Sequence, residues 1–259
     1  MENEYEKTAM FLHAAMKEIA ALEQPSKAKV LDFGTGSGEL VRSLLALGYE
    51  AYGCDIKPYW QEMSDPDVGR LSTISLAPYR LPYEDSTFDV VNSTSVLEHA
   101  QNKEELFLEI YRVLKVGGYS MHLFPGKWYL PVDPHIYVPL VNFFWPKCPK
   151  WWLALWAFLG VRNEFQRDKS WREVIEANSD YCRHGLSYWS NLAYRELSLK
   201  VFGNFSAPME FYIKNASGGV AKLLRRIPFP RLTGWVAGEI RMNFIVSKKT
   251  ATSSRAQHL

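Results

Sequence analysis

Fifteen residues near the start of the chain constrain the fold more than any others: VLDFGTGSGELVRSL, from Val30 to Leu44. An apolar run enters this stretch and a helix-like apolar pattern leaves it. Between them Gly34, Gly36 and Gly38 stand at alternate positions. Glycines between a strand and a helix let a ligand approach main chain that a Cβ would shield. A phosphate loop of the form GxxxxGK[ST] would need glycine and lysine where Glu39 and Leu40 stand. The dinucleotide pattern GxGxxG would also need a glycine at Glu39, whose carboxylate sits at the helix N-terminus that a pyrophosphate would occupy. The pattern that remains, D-x-G-x-G-x-G from Asp32 to Gly38, points to a ligand without phosphate at that place.

The flanking sequence reads as strands alternating with helices. Phe11, Leu12, Ala15, Met16 and Ile19 predict an amphipathic helix over 5–22. AKVLDFG reads as a buried strand, and SGELVRSLLALG as a helix closed by Gly48. YEAYGCD reads as a strand ending at Asp55, and FDVVNSTSV as one beginning at Phe88. In NKEELFLEIYRVLKVGG, Asn102 caps, Glu105 follows three residues later, and Leu106, Ile110, Val113 and Leu114 form one face. Gly117-Gly118 is expected to end that helix before the strand YSMHLFP. Beyond Pro125 the alternation stops, and six of the nine tryptophans lie between Trp128 and Trp171. The alternation resumes with the helix-like SYWSNLAYRELSLKVFG, then MEFYIKN and GEIRMNFIVSKK, both read as strands. This pattern predicts an α/β fold: a Rossmann-like, doubly wound, mostly parallel sheet of seven strands with an aromatic-rich helical cap. Its parts are a core over 1–125, a cap over 126–186, a return to the core over 187–248 and a disordered polar tail over 249–259.

A net charge of +2 gives no bias toward nucleic acid, and no nucleic-acid partner is expected. Cys54, Cys148 and Cys182 are odd in number and lack CxxC spacing, which argues for a reducing compartment rather than a disulfide framework. The acidic, polar MENEYEKTAM does not read as a secretory signal, so a cytoplasmic protein is expected. No His/Cys/Asp grouping has metal-ligand spacing in the sequence, and no metal is expected.

VLDFGTGSG, the acidic Asp55 17 residues after Gly38, and LPYEDSTFDVVNSTSVLEHAQNKEELFLEIYRVLKVGGYSMHLFP together resemble the class I S-adenosylmethionine-dependent methyltransferases. The resemblance runs from about Ala28 to Pro125. It implies S-adenosylmethionine as cofactor, held by Asp32, Gly34, Thr35, Gly36 and Gly38, with Asp55 on the ribose hydroxyls and Ile56 beside it. Ser95 to Glu98 would line the crevice, and the Glu98-His99 pair would stand beside the methionine part. Many relatives carry an Asp before LPF that meets the adenine amino group. This chain has Ala77 at that place, so backbone or a neighbour such as Leu76 would take over.

Methyl transfer from a sulfonium is an in-line displacement, and an oxygen nucleophile also needs its proton removed. The base candidates are His135 with Asp133, in the proline-bounded PVDPHIYVP, and His99. His122 reads as a satisfied sheet histidine, His184 as a weaker candidate, and His13 and His258 as surface residues. FPGKWYLPVDPHIYVPLVNFFWP resembles a subset of these enzymes associated with glycan gene clusters, which favours a sugar hydroxyl, free or carrier-linked, as acceptor. The apolar run Trp151 to Val161 is about 16 Å long as a helix, too short to cross a bilayer. It suits a packed cap, a lid over the acceptor, or a peripheral contact with the inner face of a membrane. VAKLLRRIPFPR adds Lys222, Arg225, Arg226 and Arg231 beside apolar residues, as a solvated face, a surface for anionic lipid or a phosphate clamp. A lipid or quinone-like acceptor is the alternative within the enzyme class. A non-catalytic binding or scaffold protein is the alternative outside it.

Overall fold

The structure, a computed structural model, describes residues 3–62, 68–76 and 78–251. Helix α1 (Glu4–Glu18) opens with Asn3 and Glu6 in a reciprocal capping box. Then come β1 (Lys29–Phe33), α2 (Glu39–Ala46), β2 (Glu50–Asp55), β3 (Leu71–Thr73) and a hairpin of β4 (Ser75–Leu76) with β5 (Tyr79–Arg80). Next are β6 (Phe88–Thr94), α3 (Lys103–Val113) and β7 (Leu114–Pro125). Strand order in the main sheet is β3-β2-β1-β6-β7-β8, where β8 (Met242–Lys248) runs antiparallel to β7 and all other pairs are parallel.

Apolar residues on both faces of the strands require cover on both sides. On one face Val30, Ala51, Val90, Met121 and Phe244 pack with α1 and α2 through Leu12, Met16, Leu40 and Leu44. On the other, Leu31, Phe33, Val91 and Ile245 pack with α3 and the later helix α7 (Asn191–Phe202) through Leu106, Phe107, Ile110, Leu197 and Phe202. The cap lies between β7 and α7 in the chain and holds α4 (Val141–Phe144), α5 (Lys150–Phe158), α6 (Trp171–Asp180) and a π-helical turn at Tyr181–Gly185. It has a small core of its own, including Ile136, Val138, Val141, Leu153, Val174 and Cys182. Three further helices precede β8: α8 (Met209–Asn215), α9 (Gly219–Leu224) and α10 (Pro230–Ile240). No helix of the described residues is long and apolar enough to cross a membrane.

The sheet has six strands rather than the expected seven, because MEFYIKN folds as α8. Met209 and Ile213, four apart, are both buried on one helical face, and Phe11 touches Phe211, Tyr212 and Phe244 at ring distances of 5.6, 5.7 and 5.0 Å. Among the described residues, the Ser206–Val246 bridge alone remains along the outer edge of β8. Gly117-Gly118 does not end α3, which stops at Val113 where Leu114 turns extended and starts β7. The glycines instead form an irregularity within β7, where the register to β6 shifts between Phe88 and Val90. The polar tail is expected to begin at Lys249, yet Lys249 is buried and its Nζ donates to the Leu114 carbonyl at 2.7 Å. Residues 252–259 of that tail, His258 among them, lie outside the described residues. His13 is half-buried rather than free on the surface, with Nδ1 2.8 Å from the Tyr49 hydroxyl.

Candidate active site

Strands β1, β2 and β6 end side by side, and the order reverses around β1, so a crevice opens at their carboxyl ends. Gly34, Gly36 and Gly38 all have positive φ, at +77°, +56° and +82°. A Cβ on Gly34 would lie 2.3 Å from Val96 Cγ2, so no larger residue fits beside the chain leaving β6. The Gly36 N–H donates to Asp55 Oδ2 at 2.8 Å, and the Ile56 N–H donates to Asp55 Oδ1 at 2.7 Å. These two bonds lock the carboxylate against the glycine loop. Ser95 is also left-handed, at φ +56°, with its N–H donating to the Leu123 carbonyl. Such strain in a non-glycine residue clusters at binding sites. Gly34, Asp55, Ile56, Ser95, His99 and Tyr181 are among the residues lining a cavity of about 590 Å³ here. A smaller cavity of about 280 Å³ adjoins it through Gly34 and Ser95, and is lined by Asp32, Thr35, Thr94 and, from α1, Tyr5 and Thr8. Asp32 is buried and accepts from Asn92 Nδ2 at 2.7 Å; burial pushes its carboxyl up to about 7 against that bond.

A polar cluster closes the far end of the larger cavity. Glu98, His99, Asp133 and His135 come together although about 35 residues separate the two pairs in the chain. His135 Nε2 is 3.8 Å from Glu98 Oε1, and its Nδ1 is 3.4 Å from Asp133 Oδ1. The rings of His99 and His135 meet edge to face at 4.8 Å. Asp133 Oδ1 accepts from the main-chain N–H groups of His135 and Ile136, and Oδ2 accepts from the Tyr188 hydroxyl at 2.9 Å. Burial raises the Asp133 carboxyl, but the hydrogen bond and charge of His135 and those N–H groups outweigh it and hold the group below its ordinary value. Glu98 is the opposite case. It is buried with neither carboxylate oxygen hydrogen-bonded, and burial lifts it to about 7 against the charge of His135. His99 Nδ1 donates to the Gly185 carbonyl at 2.7 Å, and burial lowers its pKa, which keeps the ring neutral with Nε2 free of its proton. Behind the cluster Lys103 donates to the Ala100 and Ser187 carbonyls, and burial lowers its ammonium to about 7. The donor atoms of Glu98, His99 and His135 lie within 4.8 Å of one another, the one group of the described residues with the reach to hold a cation.

Another cavity, about 370 Å³, lies on the cap side of His135. Its walls carry the rings of Tyr137, Phe165 and Tyr181 and the polar groups of Asn163, Gln166 and Lys169. Tyr181 lines this cavity and the larger one, so the cluster stands between them.

A family model described as a methyltransferase domain matches residues 31–121, the glycine loop through β7. Residues 31–121 carry a methyltransferase domain, in line with the class I S-adenosylmethionine-dependent resemblance of the motifs. Over 113 residues it is 30% identical to the sterol 4-C-methyltransferase strm-1 of Caenorhabditis elegans, covering 41% of this chain and 33% of that protein. Over 106 residues it is 27% identical to the demethylmenaquinone methyltransferase of Chlorobaculum tepidum, covering 40% of this chain and 44% of that one. The chain thus spans less than half the length of these curated relatives. The S-adenosylmethionine-dependent methyltransferase of Mesorhizobium loti shares the fold at a TM-score of 0.53 and 14% identity, over 92% of this chain and 100% of that one. Phosphoethanolamine N-methyltransferase 2 of Haemonchus contortus, in complex with phosphomonomethylethanolamine and S-adenosylhomocysteine, does so at 0.51 and 15%, over 92% and 52%.

The methyltransferase fold distributes the expected site residues unevenly. Gly34, Asp55, Ile56 and Ser95 line the larger cavity. Asp32 and Thr35 line the smaller one, while Gly36 anchors Asp55 and Gly38 caps α2. Glu98 is buried behind the crevice wall. Leu76 lies in β4, and Ala77 falls outside the described residues. His122 sits inside the sheet between the Ser93 and Ser120 hydroxyls, as expected of a structural histidine. His184 lines the larger cavity but is exposed and bonded to Asp180. The residues that sequence reasoning passed over are Tyr181 and Tyr188. Neither belongs to a motif, and only the return of the chain from the cap to α7 brings them to His135.

Proposed function

We propose that the protein transfers a methyl group from S-adenosylmethionine to a hydroxyl of a small polar acceptor, a sugar or glycan precursor being the class favoured. The larger cavity suits the cofactor. Its volume falls within the usual range for ligand pockets, and Asp55 keeps lone pairs on both oxygens for the two ribose hydroxyls after accepting from Gly36 and Ile56. Glu39 at the entrance to α2 is compatible with this phosphate-free ligand. When bound, the cofactor supplies an activated methyl group, so the protein's work is alignment and proton removal.

The observation that carries the reading is that His135 lines the cap-side cavity and its ring meets, at 4.8 Å, that of His99, which lines the larger one. Asp133, itself fixed by two main-chain N–H groups and Tyr188, orients the ring through Nδ1. That leaves Nε2 as the base for an acceptor hydroxyl, with Glu98 3.8 Å away to stabilise the imidazolium that forms. The cap-side cavity mixes aromatic faces with amide, carboxylate and ammonium groups, a lining that suits stacking on and hydrogen bonding to a polyhydroxylated ring. A lipid or quinone-like acceptor is the second reading, supported by the exposed apolar surface described below and by the names of the curated relatives. The deciding experiment follows S-adenosylhomocysteine release with nucleotide sugars, lipid-linked sugars, quinols and sterols. Turnover with sugars that falls in His135→Ala is expected. Turnover confined to quinols or sterols would overturn the sugar reading, and cofactor binding with no turnover on any acceptor would favour a scaffold.

A further inference from the structure

We propose that the α9–α10 face docks the protein on an anionic phospholipid surface. A helix on the outside of a globular protein normally buries its large apolar residues and exposes polar ones. Helix α10 does the reverse. It buries Gly234, Ala237 and Gly238 and turns Leu232, Trp235 and Val236 to solvent. A Cβ on Gly234 would stand 2.9 Å from Met209 Cβ, so the helix lies too close to α8 for anything larger on its inner face. Helix α9 follows the same rule: Ala221 is buried, and Val220 and Leu223 are exposed. Between the helices Phe229 is held at φ +77°, a conformation that bulky residues rarely adopt, and its side chain is 72% exposed. The tip therefore presents an aromatic ring outward at a conformational cost.

Charge selects the partner. From 211 to 238 the chain has five Lys or Arg and no Asp or Glu. Arg225 is tied to the Ile213 and Ala216 carbonyls and joins α9 to α8. Lys222 and Arg226 are exposed beside the apolar residues, and Arg231 is nearly fully exposed, 3.6 Å from Glu210. Aromatic and apolar side chains ringed by cations match the interface of a bilayer with anionic headgroups. A second copy packed two-fold on this face would set cation against cation. The Trp-rich cap is the weaker candidate, because Lys150 on α5 is already paired with Glu176. The end of α10 is tied to the chain just ahead of the Asp133–His135 loop, where the Leu130 N–H donates to the Ile240 carbonyl and Arg241 Nη1 to the Leu130 carbonyl.

The test is co-sedimentation of the full chain with vesicles of phosphatidylcholine, with and without phosphatidylglycerol. Sedimentation with the anionic vesicles alone, weakening as salt is raised, is expected. Lys222→Glu/Arg226→Glu should weaken binding about tenfold or more, and Phe229→Ser/Trp235→Ser should reduce it to the level of neutral vesicles. All four side chains are exposed and away from the crevice, so unchanged S-adenosylmethionine binding certifies folded variants. A supernatant protein at low salt, binding that neither double variant alters, or a solution dimer that Trp235→Ser dissociates without vesicle binding would each overturn the proposal.

Discussion

Replacing Asp55 by alanine tests the cofactor crevice most directly. The carboxylate accepts from Gly36 and Ile56 at 2.8 and 2.7 Å, which leaves a lone pair on each oxygen for the ribose. A hydrogen bond to a charged partner contributes about 1.5–3 kcal/mol, so losing two amounts to about 3–6 kcal/mol. At 1.4 kcal/mol per decade that is a roughly 10²- to 10⁴-fold rise in the dissociation constant for S-adenosylmethionine. The two main-chain N–H groups lose their partners as well, but they sit at the rim of the crevice where water reaches them. Stability should fall by no more than about 2 kcal/mol. Titration calorimetry on the folded variant measures the affinity, and thermal unfolding without ligand measures the fold. Asp55→Asn, which keeps one oxygen, should fall between the two proteins. An affinity within about threefold of the parent in a folded Asp55→Ala protein would refute the ribose assignment, since that is less than half the energy of one such bond.

Four further outcomes are expected. His135→Ala should lower turnover roughly 10²- to 10⁴-fold with cofactor affinity kept, measured by S-adenosylhomocysteine release and calorimetry; equal turnover removes it as base. Chelation by EDTA should leave turnover unchanged, whereas a loss restored by a divalent cation would reassign Glu98, His99 and His135 to a metal. His122 is held at about 3 by burial, against an ordinary value of about 6.5 when unfolded. The unfolded chain therefore takes up the proton first, and stability is lost as pH falls from about 6.5 toward 3, by up to about 1.4 kcal/mol per pH unit. Urea melts should show a flatter dependence in His122→Asn, and parallel profiles would refute the assignment. Gly34→Ala should unfold at lower temperature and bind cofactor poorly, and adding Val96→Ala should recover part of the loss by removing the 2.3 Å clash; no recovery would place the cost in the backbone alone.

The elements most legible in the sequence were those whose determinants are local. Residues 28–55 contain their own strand, turn, helix and second strand, so the Gly34 loop and Asp55 at the end of the second strand are assigned to one crevice from the sequence alone. The same holds for α3, whose apolar face and Asn102 cap lie within twelve residues. MEFYIKN is ambiguous in the sequence because its apolar residues satisfy both a strand and a helix pattern over seven positions. Packing of Phe11 and Phe244 around Phe211 and Tyr212 decided between them.

The sequence by itself determined the crevice: a phosphate-free glycine loop with an acidic partner at the end of the next strand, because those groups are neighbours along the chain or across one strand pair. It also marked His135 and Asp133 as a loop pair. Only the tertiary structure decided that Glu98, His99 and Tyr188 join them, that Tyr181 divides two cavities, and that α10 wears its large apolar residues outside. These depend on where a cap of some sixty residues folds back on the sheet, and on how closely α10 can approach α8. Burial of a carboxylate without a hydrogen bond and exposure of a tryptophan are properties of that packing, which the order of residues along the chain does not display.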